Sequence, residues 1–210
     1  MLEAVSMLHT ALRRIVRGPV NGRHWIRVEM DQAVDVFLAQ LDLASCDAIE
    51  VSGNAHARRP WRSYRHVDYP AYDLLDPSPL PEFDVVLCEQ VLEHVPDPWR
   101  AMETLTSLCR PGGSVVITTP FLMRIHEYPA DFWRFTPEGM AHIARGAGLE
   151  VVQSGSWGNT WCTVANRHRA PTFRAWHQML SRVTLANDPL CPQTVWTFAR
   201  KPDQFAVQTV

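Results

Sequence analysis

Residues 83–120 read FDVVLCEQVLEHVPDPWRAMETLTSLCRPGGSVVITTP, and this stretch decides the fold. Residues 83–88 are a short apolar run rich in valine, the pattern of a strand buried on both faces of a parallel sheet. Glu89, Gln90, Glu93 and His94 stand where that strand ends. Asp97 offers a helix N-cap, and Pro98 suits the first turn. Ala101, Leu105 and Leu108 follow at helical spacing, with Met102 and Cys109 widening the stripe. Arg110-Pro111-Gly112-Gly113 is a stop-and-turn signal, and residues 114–119 are a second apolar, β-branched run. Strand, helix and strand make one βαβ unit, and open α/β sheets place ligands at the carboxyl ends of such strands.

Upstream, residues 1–17 and 24–41 carry apolar side chains at helical spacing and predict two helices. Residues 46–51 (CDAIEV) predict the first strand, running into Ser52-Gly53-Asn54, small turn-forming residues. Residues 64–69 predict a second strand ending at Asp68, and residues 71–75 a short third one with Asp73 and Asp76 at its end. Downstream of Pro120 lies FLMRIHEYPADFWRFTPEGM, dense in aromatics. Thr136 then caps a helix with Pro137 at its first position. Residues 149–153 predict a strand, 155–159 a loop, 173–183 a helix and 194–199 a last strand. The expected architecture is an α/β fold, a mostly parallel central sheet with helices on both faces and one late antiparallel strand. The expected organisation is an N-terminal helical segment over residues 1–44, an α/β domain over 45–201 with a mixed insertion at 160–190, and a tail over 202–210.

Bulk properties narrow the function classes. The chain has 210 residues with 46% hydrophobic and 20% charged, an ordinary globular balance. A formal net charge of −2 gives no electrostatic reason to expect a nucleic-acid partner. The longest apolar runs are strand-sized, so no membrane insertion is expected. Five widely spaced cysteines fit a reduced, cytoplasmic protein. Cys162, His168, His177 and Cys191 match no compact ligand spacing, so no metal site is expected from the sequence.

The segment FDVVLCEQVLEHV, followed by a helix and LCRPGGSVVITTP, resembles the class I S-adenosylmethionine-dependent methyltransferases, of the small-molecule type. Members carry a strand, an "LEH" turn, a helix and then "L-x-PGG". The likeness covers roughly residues 45–155, with a compatible final strand, and implies a Rossmann-like methyltransferase fold. The resemblance implies that Glu50 lies near the methionine part of S-adenosyl-L-methionine, with Ser52, Gly53 and Asn54 in the usually glycine-rich turn. It implies Asp68 on the ribose hydroxyls, Asp73 or Asp76 near the adenine amino group, with Asp73 preferred, and Glu89 and Gln90 beside the sulfonium. Chemistry supports two of these roles independently. One carboxylate can accept two adjacent ribose hydroxyls. Glu50 and Asp68 lie 18 positions apart, close to the ~20-residue offset of a nucleotide-binding unit.

One departure stands out. The family usually shows E-x-G-x-G, whereas this chain has EVSGN and a short, proline-containing connection to Asp68. Three readings follow: a variant that still binds the cofactor, a relative with a different cofactor grip, or a fold without activity. His94, His126 and Asp131 are the candidate proton-handling residues, since imidazole titrates in the useful range. Trp157 is a candidate far wall for the acceptor pocket, and Arg58, Arg59, Arg62 and Arg65 form the most basic spot. The expected activity is methyl transfer to a small or medium-sized acceptor, in secondary-metabolite or polysaccharide biosynthesis. The alternative is a non-catalytic binding or regulatory protein on the same fold.

Overall fold

The computed structural model describes residues 25–126, 129–160, 162–163 and 186–203. The helices expected over 1–17 and 173–183, most of the 160–190 insertion and most of the tail lie outside these residues, as do His168 and His177.

Six strands form one sheet: β1 (Asp47–Val51), β2 (Ser63–Val67), β3 (Phe83–Glu89), β4 (Cys109–Pro120), β5 (Glu150–Trp157) and β6 (Thr194–Arg200). Their order is β2-β1-β3-β4-β6-β5. β1 through β4 run parallel, and β6 lies antiparallel between β4 and β5. The expected mostly parallel sheet with a late antiparallel strand is therefore present. The chain steps outward from β1 to β2 and then returns to the other side of β1 as β3. This reversal creates a crevice at the carboxyl ends of β1 and β3.

Helices cover both faces. α1 (Trp25–Leu38) lays Val34, Phe37 and Leu38 on Ala48, Val85, Leu87, Val116 and Phe198. α2 (Pro98–Leu108) and α3 (Pro137–Gly146) cover the opposite face, where Ile49, Val86, Cys88, Val115 and Ile117 point. Each fully buried aliphatic or aromatic side chain contributes about 1.5–3 kcal/mol, so these alternating stripes hold the layers together. The caps are as the sequence predicts: Asp97 accepts the Arg100 N–H at 3.1 Å, and Thr136 Oγ1 accepts the Gly139 N–H at 3.0 Å.

At the amino ends of the strands, Arg62 donates to Asp47 at 2.8 and 2.6 Å. Arg110 reaches Asp84 at 2.7 Å and Asp47 at 3.0 Å. These four residues tie the starts of β1 to β4 together, far from the crevice.

Three local expectations are corrected. Residues 71–75 are a turn with an isolated bridge between Asp73 and Asp76, because Asp73 Oδ1 accepts the Leu75 N–H at 2.8 Å and closes the backbone locally. β5 runs through the expected 155–159 loop as far as Trp157. Gly155 is there for closeness, since a Cβ would lie 2.7 Å from Trp196 Nε1. Residues 110–113 do loop out of register, but as a bulge at the start of β4 rather than as a separate turn, with Phe83 opposite Cys109 and Val85 opposite Ser114.

Candidate functional site

Strand parity decides which groups face the crevice. Ala48, Glu50, Val85, Leu87 and Glu89 point to the α1 side, and Ile49, Val51, Val86 and Cys88 to the α2 side. Glu50 and Glu89 are thus buried under α1. The Glu50 carboxylate accepts the Ala55 and His56 N–H groups at 2.9 and 3.0 Å and the Tyr64 hydroxyl at 2.6 Å. It folds the connection between β1 and β2 into a tight turn where a helix would otherwise stand. Glu89 is met by Arg27 of α1 at 3.3 Å and by His56 Nε2. Arg59 donates to His56 Nδ1 at 2.8 Å, so Nε2 carries the proton that Glu89 accepts.

The crevice holds a cavity of about 320 Å³. Val51, Ser52, Asp73, Leu74 and Leu75 line one side, Gln90, Val91 and His94 the other, and Tyr69, Tyr72, Pro96, Pro129 and Phe132 the walls. Ser52 and Gln90 both adopt the left-handed conformation, with φ of 64° and 57°. Ser52 occupies the place where the family has glycine, and its backbone takes the angles that glycine would supply. Gln90 is held from behind by its side-chain amide, which donates to Thr118 Oγ1 at 3.3 Å and reaches Met30 Sδ at 3.5 Å.

Of the sequence-predicted cofactor residues, the fold brings Ser52, Asp73 and Gln90 together in this cavity. Gly53 and Asn54 lie just beyond it in the turn. Asp68 lies in an adjoining cavity with Arg65, His66, Ala71 and Ser78, and Tyr72 is common to both. Asp68 Oδ1 accepts the Gly53 N–H at 2.9 Å, and the side chain is half exposed. Trp157 is not in the cavity wall; it packs with Ile26 and Cys162. Arg59 and Arg62 pair with Asp35 and Asp47, so two of the four arginines of the basic spot are engaged internally.

Both candidate histidines meet at one corner. Leu92–His94 is a single 3-10 turn, and residues 129–134 dock on it: the Phe132 N–H donates to the Glu93 carbonyl at 2.7 Å and Trp133 Nε1 to the Val95 carbonyl at 3.0 Å. The His94 and His126 rings sit edge-on with centroids 5.1 Å apart. His94 Nδ1 donates to the Ala130 carbonyl, which leaves Nε2 as the nitrogen with a free lone pair, 3.6 Å from Glu93 Oε1. The Asp131 side chain is buried; its Oδ2 accepts the His126 N–H at 2.8 Å and the Arg134 guanidinium at 2.6 Å. Arg134 holds the Asp131 carboxyl down to about 2. Burial pushes Glu93 up to about 7.

Sequence reasoning missed Tyr69, Tyr72, Phe132, His56 and the burial of Glu93. The LEH turn was the only signal for the last, and it spoke to identity rather than environment. The cysteines Cys88, Cys109 and Cys162 are buried free thiols whose pKa values burial raises, so none is a nucleophile at neutral pH.

Comparison with known proteins fits this geometry. A family described as "Methyltransferase domain" matches residues 32–154, more than half the chain. The ubiquinone biosynthesis O-methyltransferase of Paracidovorax citrulli is 31% identical over 141 residues, covering 58% of this chain and 54% of that protein. The same-named protein of Cupriavidus pinatubonensis is 39% identical over 87 residues, covering 33% of this chain and 35% of its own. The chain thus spans about a third to a half of the length of these relatives. The N-methyltransferase NodS from Bradyrhizobium japonicum, solved with S-adenosyl-L-homocysteine, superposes with a TM-score of 0.56 at 13% identity, covering 93% of this chain and 98% of that one. The [4+2]-cyclase SpnF superposes at 0.53 with 15% identity, covering 96% and 95%. At those identities the structural likeness carries the fold alone. The family match, the sheet order and the crevice agree: the chain belongs to the class I S-adenosylmethionine-dependent methyltransferases.

Proposed function

We propose that this chain binds S-adenosyl-L-methionine in the β1–β3 crevice and transfers its methyl group to an oxygen of a small acceptor. The observation that carries this reading is the pair Ser52 and Gln90. Two strained backbones at adjacent strand ends, facing one cavity, are the form a close-fitting cofactor site takes. The residues present fit the cofactor. Asp73 offers a carboxylate to an amine or hydroxyl, Leu74, Leu75 and Val91 offer apolar walls, and Ser52 keeps the turn small. Asp68, at the neighbouring rim, keeps Oδ2 for a hydroxyl donor.

When bound, the cofactor supplies a methyl group already activated on a sulfonium. The chain's own residues then provide proximity and orientation. Tyr69 and Phe132 shape a flat apolar slot, and His94 lines it. An acceptor hydroxyl placed there meets the His94–His126 corner, where its proton can be taken. Asp131, fixed by Arg134, positions His126. Secondary-metabolite or polysaccharide chemistry and the oxygen acceptors of the curated relatives are all compatible with such a slot.

A non-catalytic binding protein is the second reading, motivated by the EVSGN turn. Calorimetry with S-adenosyl-L-homocysteine and S-adenosyl-L-methionine separates the two. Saturable binding of both, with turnover on an aromatic hydroxyl acceptor, supports the enzyme. A folded chain that binds neither at millimolar concentration contradicts it.

A further inference from the structure

Five buried side-chain nitrogen or oxygen atoms among the described residues lack a hydrogen-bond partner, and three of them converge on one corner: Glu93 Oε1, Glu93 Oε2 and His126 Nδ1. Glu93 is 0% exposed. A carboxylate so buried and so unpartnered is costly, because it has lost water and gained no donor. One ligand-capable atom from each of Glu93, His94 and His126 lies within 4.8 Å of the other two. The groups around them are those that orient metal ligands. Ala130 fixes the His94 tautomer and leaves Nε2 bare, and Asp131, anchored by Arg134, holds the backbone of His126 and lies 3.3 Å from its Nδ1.

We propose that Glu93, His94 and His126 form a binding site for a divalent transition-metal ion. Two imidazoles and one carboxylate select zinc or a zinc-like ion over magnesium or calcium, which take oxygen donors. Three protein ligands leave a coordination position open, and His94, one of them, lines the crevice cavity. The cation supplies the partner that the buried Glu93 carboxylate lacks. Binding of the metal stands apart from methyl transfer; its consequence rests on that reading. With the ion bound, an acceptor hydroxyl oxygen at the open position becomes more acidic and releases its proton to water, and the two imidazoles then serve as ligands in place of the proton-accepting role they have in the metal-free site.

Cobalt(II) is the probe. It is titrated into the metal-free 210-residue chain and followed by its visible absorption, and then displaced with zinc. One saturable cobalt site per chain, displaced by zinc, is expected. His126→Ala should weaken it by about ten-fold or more, and so should Glu93→Gln if that variant folds. His126 lies on a part-exposed segment, so its variant keeps the test available in either case. Absence of cobalt bands and of zinc binding at hundred-micromolar concentration would overturn the site. So would an unchanged affinity in a folded His126→Ala variant, which would assign the metal to surface histidines. Loss of the methyl-transfer reading shows separately, as failure to bind S-adenosyl-L-homocysteine.

Discussion

Ser52 and Gln90 end the neighbouring strands β1 and β3, and among the described residues they are the two non-glycine positions with left-handed backbone. Left-handed geometry costs an L-residue roughly 1–2 kcal/mol. Ser52→Gly is therefore expected to raise stability by about 1 kcal/mol and to keep cofactor binding. Ser52→Val, β-branched at the same angles, should lower stability and abolish binding. Thermal melts paired with calorimetry check both. If Ser52→Val binds as well as the parent, the strained turn is unrelated to the ligand.

The two candidate acid contacts can be told apart. Asp68→Asn keeps an acceptor for the Gly53 N–H but loses the charge that would take a hydroxyl pair. Asp73→Asn likewise keeps the contact to Leu75. Each should weaken S-adenosyl-L-homocysteine binding by roughly ten-fold, the worth of one charge-assisted hydrogen bond. Loss in Asp73→Asn alone would assign the grip to the main cavity and remove Asp68 from the ribose.

Glu93 trades stability for chemistry. In metal-free protein, Glu93→Met replaces a buried, unpartnered carboxylate with an apolar group of similar length. Relief of the unsatisfied group is worth about 1–3 kcal/mol, and a domain of this size gains about 2–4 °C per kcal/mol. The variant should melt higher than the metal-free parent and lose turnover. A lower melting temperature would mean that Glu93 has partners that stabilise it in the apo state.

The opposite end of the sheet sets the acid response. Arg62, and then Ser63, hold the Asp47 carboxyl well below the usual carboxylate range. A depressed carboxylate adds stability above its ordinary pKa near 4 and loses it as the pH falls through the folded value. Arg62→Ala should be less stable at neutral pH and should lose less on acidification below about pH 4. Urea melts across that range test it, and equal slopes for both proteins would exclude the network as the source.

Residues 83–120 showed their strand–helix–strand order because apolar period and capping chemistry are local signals. Asp97, Thr136 and the two-faced alternation of β3 were readable for the same reason. Residues 71–75 misled because an Asp side chain can close a turn on a segment with strand-like composition. Ser52 was readable as a compact residue in a glycine's place, although its backbone angles were not. Glu50 and Glu89 were readable as strand-end acids, whereas their burial under α1 depends on which residue of each strand meets which face. The meeting of His94 with His126 depends on residues 129–134 docking back on the Leu92–His94 turn, a long-range contact without a periodic signature.

Calorimetric titration of S-adenosyl-L-homocysteine into the 210-residue chain and into its Ser52→Val variant tests the central claim most directly. A cofactor site built on the Ser52–Gln90 crevice predicts one saturable site in the parent, of micromolar affinity or tighter, and none in the variant. A folded parent with no binding heat at millimolar ligand, or a variant that binds equally well, would contradict it.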